Sequence, residues 1–412
     1  MIGENAQMPS LPALRSRNYR LFFAGQLVSL TGTWMQQIAM VWLAYRLTDS
    51  AAMLGLVGFA SQIPILLFST VAGVWNDRVD RRRLLIWTQT AALTQALLLT
   101  TLTFFGAIQA EWLVALAFVL GCINAIDLPA RQAFVAQLVT NKTDLANAIG
   151  LNSFLMNGTR FVGPALAGLL VATWGEAFCF LLNALSYGAV LLALRAIRVA
   201  PKADKPTDES AWLSLKSGLH YAHTHAAIRR ALWLVAGFGL FVTPYMILMP
   251  LFAREIFAGA ADTYGFLVAS AGAGSLCAAL WLALRAGRTA TTTQGLETLV
   301  ARAALCGGVA LGGFALTPGL VWAYPLLMLL GFCVVLTVAG SNTLISISVA
   351  DTYRGRVMAI FSTAFLGIAP LGSLVVGVIA ETVGVRSTLL GCALLTLLLS
   401  ARHAWLLRQA HQ

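Results

Sequence analysis

Gly73-Val-Trp-Asn-Asp77-Arg78-Val-Asp80-Arg81-Arg82-Arg83 puts six charges into its last seven positions, between apolar runs at 52–75 and 84–107. Each run is long enough to cross a bilayer, which takes about 20 apolar residues. A charge cluster this dense cannot lie in hydrocarbon, so it marks a turn at a membrane surface. Read outward from it, the chain yields twelve apolar spans: 18–45, 52–75, 84–107, 111–130, 145–173, 176–198, 231–256, 262–286, 296–316, 320–348, 356–381 and 386–408. Hydrophobic residues make up 59% of the 412 and charged residues only 10%. A soluble chain carries about 25% charge.

The charges also set orientation. Of 27 lysines and arginines, 23 fall on the side of the N-terminus, three (Arg46, Arg254, Arg386) on the other, and Arg160 within a span. That asymmetry predicts cytoplasmic termini and an even number of spans. It also accounts for the net charge of +11 without nucleic acid. The six cysteines fall in apolar stretches and read as small packed residues, not as disulfides or metal ligands. His220, His223 and His225 sit on a polar linker without cysteine or carboxylate neighbours and read as solvated. Nothing points to a metal, a cofactor or an enzymatic triad.

That linker divides the chain into an N-terminal bundle (1–199), a cytoplasmic segment (200–230) and a C-terminal bundle (231–412). Trp212, Leu215, Leu219 and Ala222 recur at helical spacing and predict a surface amphipathic helix. The halves repeat: Gly158, Gly163, Gly168 and Gly175 stand 209 residues before Gly367, Gly372, Gly377 and Gly384. Glycines in register over one span predict close helix contacts in both halves, and duplicated halves predict parallel repeats.

The Gly73–Arg83 stretch resembles the G-x-x-x-D-R-x-G-R-R signature of the major facilitator superfamily, with Asp80 where glycine is usual. Leu128-Pro-Ala-Arg131-Gln-Ala133, Asp144-Leu-Ala-Asn147-Ala-Ile and Arg354-Gly-Arg-Val-Met358 resemble its drug-exporter branch, which includes macrolide-efflux and enterobactin-exporter proteins. The resemblance implies an all-α fold of two six-helix bundles in a bacterial inner membrane. It also implies a latch at Gly73, Asp77, Arg78, Arg81 and Asp127 that holds the halves together. Asp77 would meet the N-terminus of the eleventh span near Gly355, and Arg81 would pair with Asp127. The alternative makes these ordinary topology charges, which is the reading for Arg82 and Arg83.

Gly150, Thr159, Arg160, Gly163, Pro164, Ala167 and Gly168 resemble an antiporter motif that departs from glycine at Thr159 and Ala167. Arg160 is either a substrate or proton-coupling residue or an arginine paired across helices. Gln26, Ser29, Thr33 and Gln37 share one face of the first span, beside Trp34. The fold implied by the resemblance lines its cavity with the first, fourth, seventh and tenth spans. Asn124, Thr243, Tyr245, Thr337, Ser341 and Asn342 then join them. With no acid in the middle of the first, fourth or seventh spans, the cavity reads as neutral and suited to amphiphilic organic molecules.

The leading expectation is therefore a monomeric exporter of small amphiphilic molecules, linked to protons and set among membrane lipids. Siderophore or lipid transport and a non-transporting sensor remain open.

Overall fold

The computed structural model describes residues 12–139, 142–198, 211–285 and 293–410, and they are all helical or short turns. The first six long helices are α1 (Arg17–Thr48), α2 (Ala51–Arg78), α3 (Arg81–Phe104), α4 (Ala110–Leu138), α5 (Lys142–Trp174) and α6 (Glu176–Ala196). A shorter α7 (Ala211–Thr224) follows. Then come α8 (Ala226–Ile256), α9 (Ala261–Arg285), α10 (Thr293–Leu316), α11 (Leu320–Ser348), α12 (Asp351–Val383) and α13 (Val385–Ala410).

Among the described residues, ten helices are long and apolar enough to cross a membrane. The two other long helices, α1 and α3, are diluted by polar side chains that bond to neighbours. Gln36 on α1 donates to Gln95 on α3 at 2.9 Å and accepts from Asn183 on α6 at 2.8 Å. All three amides are buried. In hydrocarbon a polar group is tolerated once a partner helix satisfies it. The outer surface is the reverse, with Leu192, Val321 and Leu398 among many apolar side chains left exposed. An apolar exterior around a partly polar interior is the arrangement lipid demands.

The register of glycines becomes packing. A Cβ on Gly168 of α5 would come within 2.9 Å of the backbone of Gly265 on α9. A Cβ on Gly377 of α12 would come within 2.7 Å of Gly55 on α2. The same pairing recurs one step further along. Gly163 faces the Thr31 carbonyl of α1, and Gly372 faces the Leu240 carbonyl of α8. Thr31 and Leu240 are themselves 209 residues apart. Gly175 and Gly384 both adopt positive φ, 81° and 85°, at the turns that follow, where a side chain would be strained. Gly158 departs from the expectation, since its Cβ would meet nothing within 4 Å.

The halves differ in regularity. α8 contains π-helical turns at Phe238–Val242 and Phe252–Ile256, and α12 contains one at Thr363–Gly367. Pro244 and Pro250 lie in α8 and cannot donate to an i−4 carbonyl, so the chain rewinds around them.

Three local expectations change. Asp80, where the superfamily pattern has glycine, caps α3 by accepting from the Arg83 amide at 2.9 Å. Arg82 is more than a topology charge. It donates to the Leu194 and Arg195 carbonyls at 2.7 and 3.0 Å and closes the C-terminus of α6. Cys277 is exposed rather than packed.

The amphipathic linker helix forms as α7 and docks on α12. Tyr221 stacks on Tyr353 at 4.4 Å, and Arg356 donates to Ser217 at 2.9 Å. Ala222 is buried, but Leu219 is 50% exposed. The side chains of Trp212 and Leu215 lie outside the described residues.

Candidate functional site

A cavity of about 330 Å³ lies between the two halves. From the first half it is lined by Thr33, Trp34, Gln37, Met40 and Val41 of α1, Val57, Gly58, Ser61, Gln62 and Ile65 of α2, Leu120 and Asn124 of α4 and Arg160 of α5. From the second half come Thr243, Met246 and Ile247 of α8 and Phe365, Leu366, Ala369 and Ser373 of α12.

Of the residues expected here, Thr33, Trp34, Gln37, Asn124 and Thr243 line the cavity. Others do not. Gln26 and Ser29 are buried beside it, with Gln26 accepting from Arg131 at 3.1 Å. Tyr245 is buried in the main core because the broken α8 turns its neighbours Thr243 and Met246 inward instead. The lining drawn from the tenth span is corrected. Thr337 and Ser341 are fully buried in the bundle of α9, α10 and α11, and Asn342 is not among the lining residues. Gly340 on the same face packs against Val300 of α10, so this face of α11 serves packing.

The expectation of a neutral cavity is also corrected, because Arg160 lines it. Its guanidinium carbon stands 5.5 Å from the centroid of the Trp34 ring, within cation–π range. Its Nη2 reaches the Met246 sulfur at 3.4 Å, a weak acceptor. Two glycines hold this arrangement. A Cβ on Gly272 of α9 would run into the Arg160 carbonyl, and a Cβ on Gly163 would come within 2.5 Å of the Trp34 Cβ. Pro164 is buried in the same crossing, and Gly150 opens onto empty space. Sequence reasoning missed Ser61, Gln62 and Ser373. The Ser61-Gln62 pair beside Pro64 in an otherwise apolar run was a signal that could have found two of them.

The proposed latch is only partly described. The side chains of Gly73, Asp77 and Arg78 lie outside the described residues. Arg81 is buried, and the contacts described for Asp127 come from other residues. Thr88 and Gln89 of α3 donate to one Asp127 oxygen at 2.7 and 2.9 Å, and Arg131 stands 4.0 Å from the other. These donors fill the carboxylate locally, from the facing helix and from one turn along its own.

At the end of the molecule that carries the α1–α2 turn, the halves are tied directly. Tyr45 donates to Glu255 at 3.1 Å. The Ser50 hydroxyl and the Ala52 amide both donate to Glu381 at 3.1 Å. Trp42 stacks on Tyr264 with centroids 5.9 Å apart. In each pair one partner comes from α1, α2 or the turn between them and the other from α8, α9 or α12.

Solved structures share this architecture. A bacterial homologue of the human lysosomal transporter Spinster, inward-facing and unoccupied, superposes with a TM-score of 0.71 over 98% of each chain at 14% identity. The nucleoside transporter NupG gives 0.73 over 94% of this chain and 98% of its own, at 12% identity. The fold is the one these multi-pass transporters share. Residues 8–411 match the family model described as transmembrane secretion effector, and the chain belongs to that family of the major facilitator superfamily.

Curated relatives agree over nearly full length. The staphyloferrin A transporter of Staphylococcus aureus is 28% identical over 90% of this chain and 91% of its own. The multidrug efflux pump Tap of Mycobacterium tuberculosis is 26% identical over 92% and 91%. The macrolide efflux protein A of Streptococcus pyogenes is 23% identical over 90% and 92%. The protein is thus a multi-pass transporter of the bacterial inner membrane.

Proposed function

We propose that the chain exports a small amphiphilic organic molecule by alternating access, most simply in exchange for protons. The observation that carries this reading is the cavity between the halves, lined by both and set beyond a tied end. In this reading α1–α6 and α8–α13 are twelve spans in two bundles, residues 1–199 and 231–412. The charge asymmetry supports termini in the cytoplasm, so the tied end is periplasmic. Breaking Tyr45–Glu255 and the Glu381 contacts opens the cavity outward. The Gly73–Arg83 turn with Asp127 then closes the cytoplasmic side. Each chain supplies both halves of one pathway, so a monomer suffices.

A siderophore is the second reading, favoured by the relative that carries staphyloferrin A in its name. The test is flux in everted vesicles with an imposed pH gradient, using a panel of drugs, siderophores and lysolipids. Substrate-dependent collapse of the gradient, lost in Asp77→Asn, is the expected result. Movement of a labelled compound without any change in the gradient would rule out proton exchange. No movement of any compound would favour a sensor.

A further inference from the structure

Arg160 is a charge that the duplicated scaffold does not require. Its repeat position, 209 residues on, is Ala369, which lines the same cavity from the opposite half. The glycine crossings that follow, at Gly163 and Gly168 and at Gly372 and Gly377, are matched in the two halves, and the second half carries alanine at this position.

The charge is also uncompensated. Among the described residues no carboxylate reaches Arg160, and its contacts are the Trp34 ring and the Met246 sulfur. Acids of the surrounding helices are engaged elsewhere: Asp127 by Thr88, Gln89 and Arg131, Glu176 by Arg46, Glu255 by Tyr45, and Glu381 by Ser50 and Ala52. The other polar lining groups are neutral: Thr33, Gln37, Ser61, Gln62, Asn124, Thr243 and Ser373. Among the described residues the cavity therefore carries a single positive charge.

A guanidinium within a membrane protein is costly unless an anion or water offsets it. Its fixed fork suits a carboxylate, which it can bind through two parallel hydrogen bonds. Trp34 below the guanidinium and Phe365 and Leu366 opposite leave an apolar wall beside the charge.

We propose that Arg160 is the anion-binding residue of the cavity, and that the substrate is an amphiphile bearing a carboxylate. The carboxylate pairs with Arg160 while the apolar body lies against Trp34, Phe365 and Leu366, and the amides of Gln37 and Gln62 add hydrogen bonds. This deepens the transport reading above and rests on it for the word substrate. A cationic amphiphile is disfavoured by the same charge.

The test uses the full chain in phosphatidylcholine nanodiscs. One fluorescent alkyl chain is ended with a carboxylate, a hydroxyl or a trimethylammonium group, and binding is measured for each. Wild type should bind the carboxylate probe about tenfold or more tighter than the hydroxyl probe, the worth of a charged hydrogen bond, with the ammonium probe weakest. Arg160→Gln should erase that preference and leave the hydroxyl probe's affinity within about threefold, since only neutral contacts remain. Equal wild-type affinities for the three probes, or a preference that survives in Arg160→Gln, would overturn the assignment. If Arg160→Gln does not fold, Arg160→Met replaces it. Arg160→Met likewise removes the charge, so loss of the carboxylate preference supports the proposal and its survival overturns it.

Flux separates this proposal from the transport reading. A carboxylate probe bound with preference but never moved would defeat transport alone. A hydroxyl probe moved while the carboxylate is ignored would defeat the anion site alone.

Discussion

The two halves share a scaffold and divide its duties. Gly163 and Gly372 seat against α1 and α8 at matching carbonyls, and Gly168 and Gly377 seat against α9 and α2. Yet most of the polar lining groups, Thr33, Gln37, Ser61, Gln62, Asn124 and Arg160, come from the first half, whereas the second offers Thr243 and Ser373 among Met246, Ile247, Phe365, Leu366 and Ala369. The first half is also the more regular, since the π-helical turns lie in α8 and α12. Gene duplication explains the common crossings. The divergence places most of the polar groups on one wall and the local helix irregularity on the other.

The seams should give the largest effects if the halves are equivalent in packing. Gly163→Val and Gly372→Val both force a side chain into backbone or Trp34. Each should cost about 1–3 kcal/mol of stability and lower the unfolding temperature in detergent by similar amounts. A large loss in one and none in the other would break the equivalence.

Next in size is the difference between the walls. Gln37→Leu should weaken substrate binding about two- to tenfold, the worth of one or two neutral hydrogen bonds. Met246→Leu conserves volume and should stay within about tenfold and below Gln37→Leu. Equilibrium binding with a transported compound reads both, and the reverse order would put recognition on the second half.

Glu381→Gln removes charge from two hydrogen bonds at the tied end. It should shift the balance of conformers by about tenfold toward opening there. Spin-label distances across α2 and α12 would report it, and an unchanged distribution would mean that the apolar contacts alone hold the end. Ser341→Ala should be the smallest change, within about 0.5 kcal/mol of wild type. Its buried hydroxyl has no hydrogen-bond partner among the described residues, so nothing is left unpaired.

Much of the fold was legible in the sequence. Apolar run length and arginine placement expose helix positions directly, and the span predicted at 320–348 coincides with α11. The glycine register foretold close crossings because only glycine permits them. The site was less legible. Helical periodicity identifies a face but not the helix it meets, so Gln26, Ser29, Gln37 and Thr33 looked alike, although Gln26 turns to Arg131. For α11 the polar face at Thr337 and Ser341 meets other helices, which spacing cannot distinguish from a cavity. Tyr245 was misplaced because the π turns of α8 shift the phase of the residues after them. Arg160 could be singled out as a charge within a span, but its role needed the distance to Trp34 and the absence of a nearby carboxylate among the described residues.

The most direct measurement joins the halves covalently at their tied end. Ser50 and Glu381, whose side chains hydrogen-bond, become cysteines in a chain whose six native cysteines are replaced. Substrate flux is followed in everted vesicles before oxidation, after it, and after reduction. Alternating access predicts that flux stops once the link forms and returns when it is reduced. Full flux through the linked protein would contradict the account, because the cavity would then empty without that end opening.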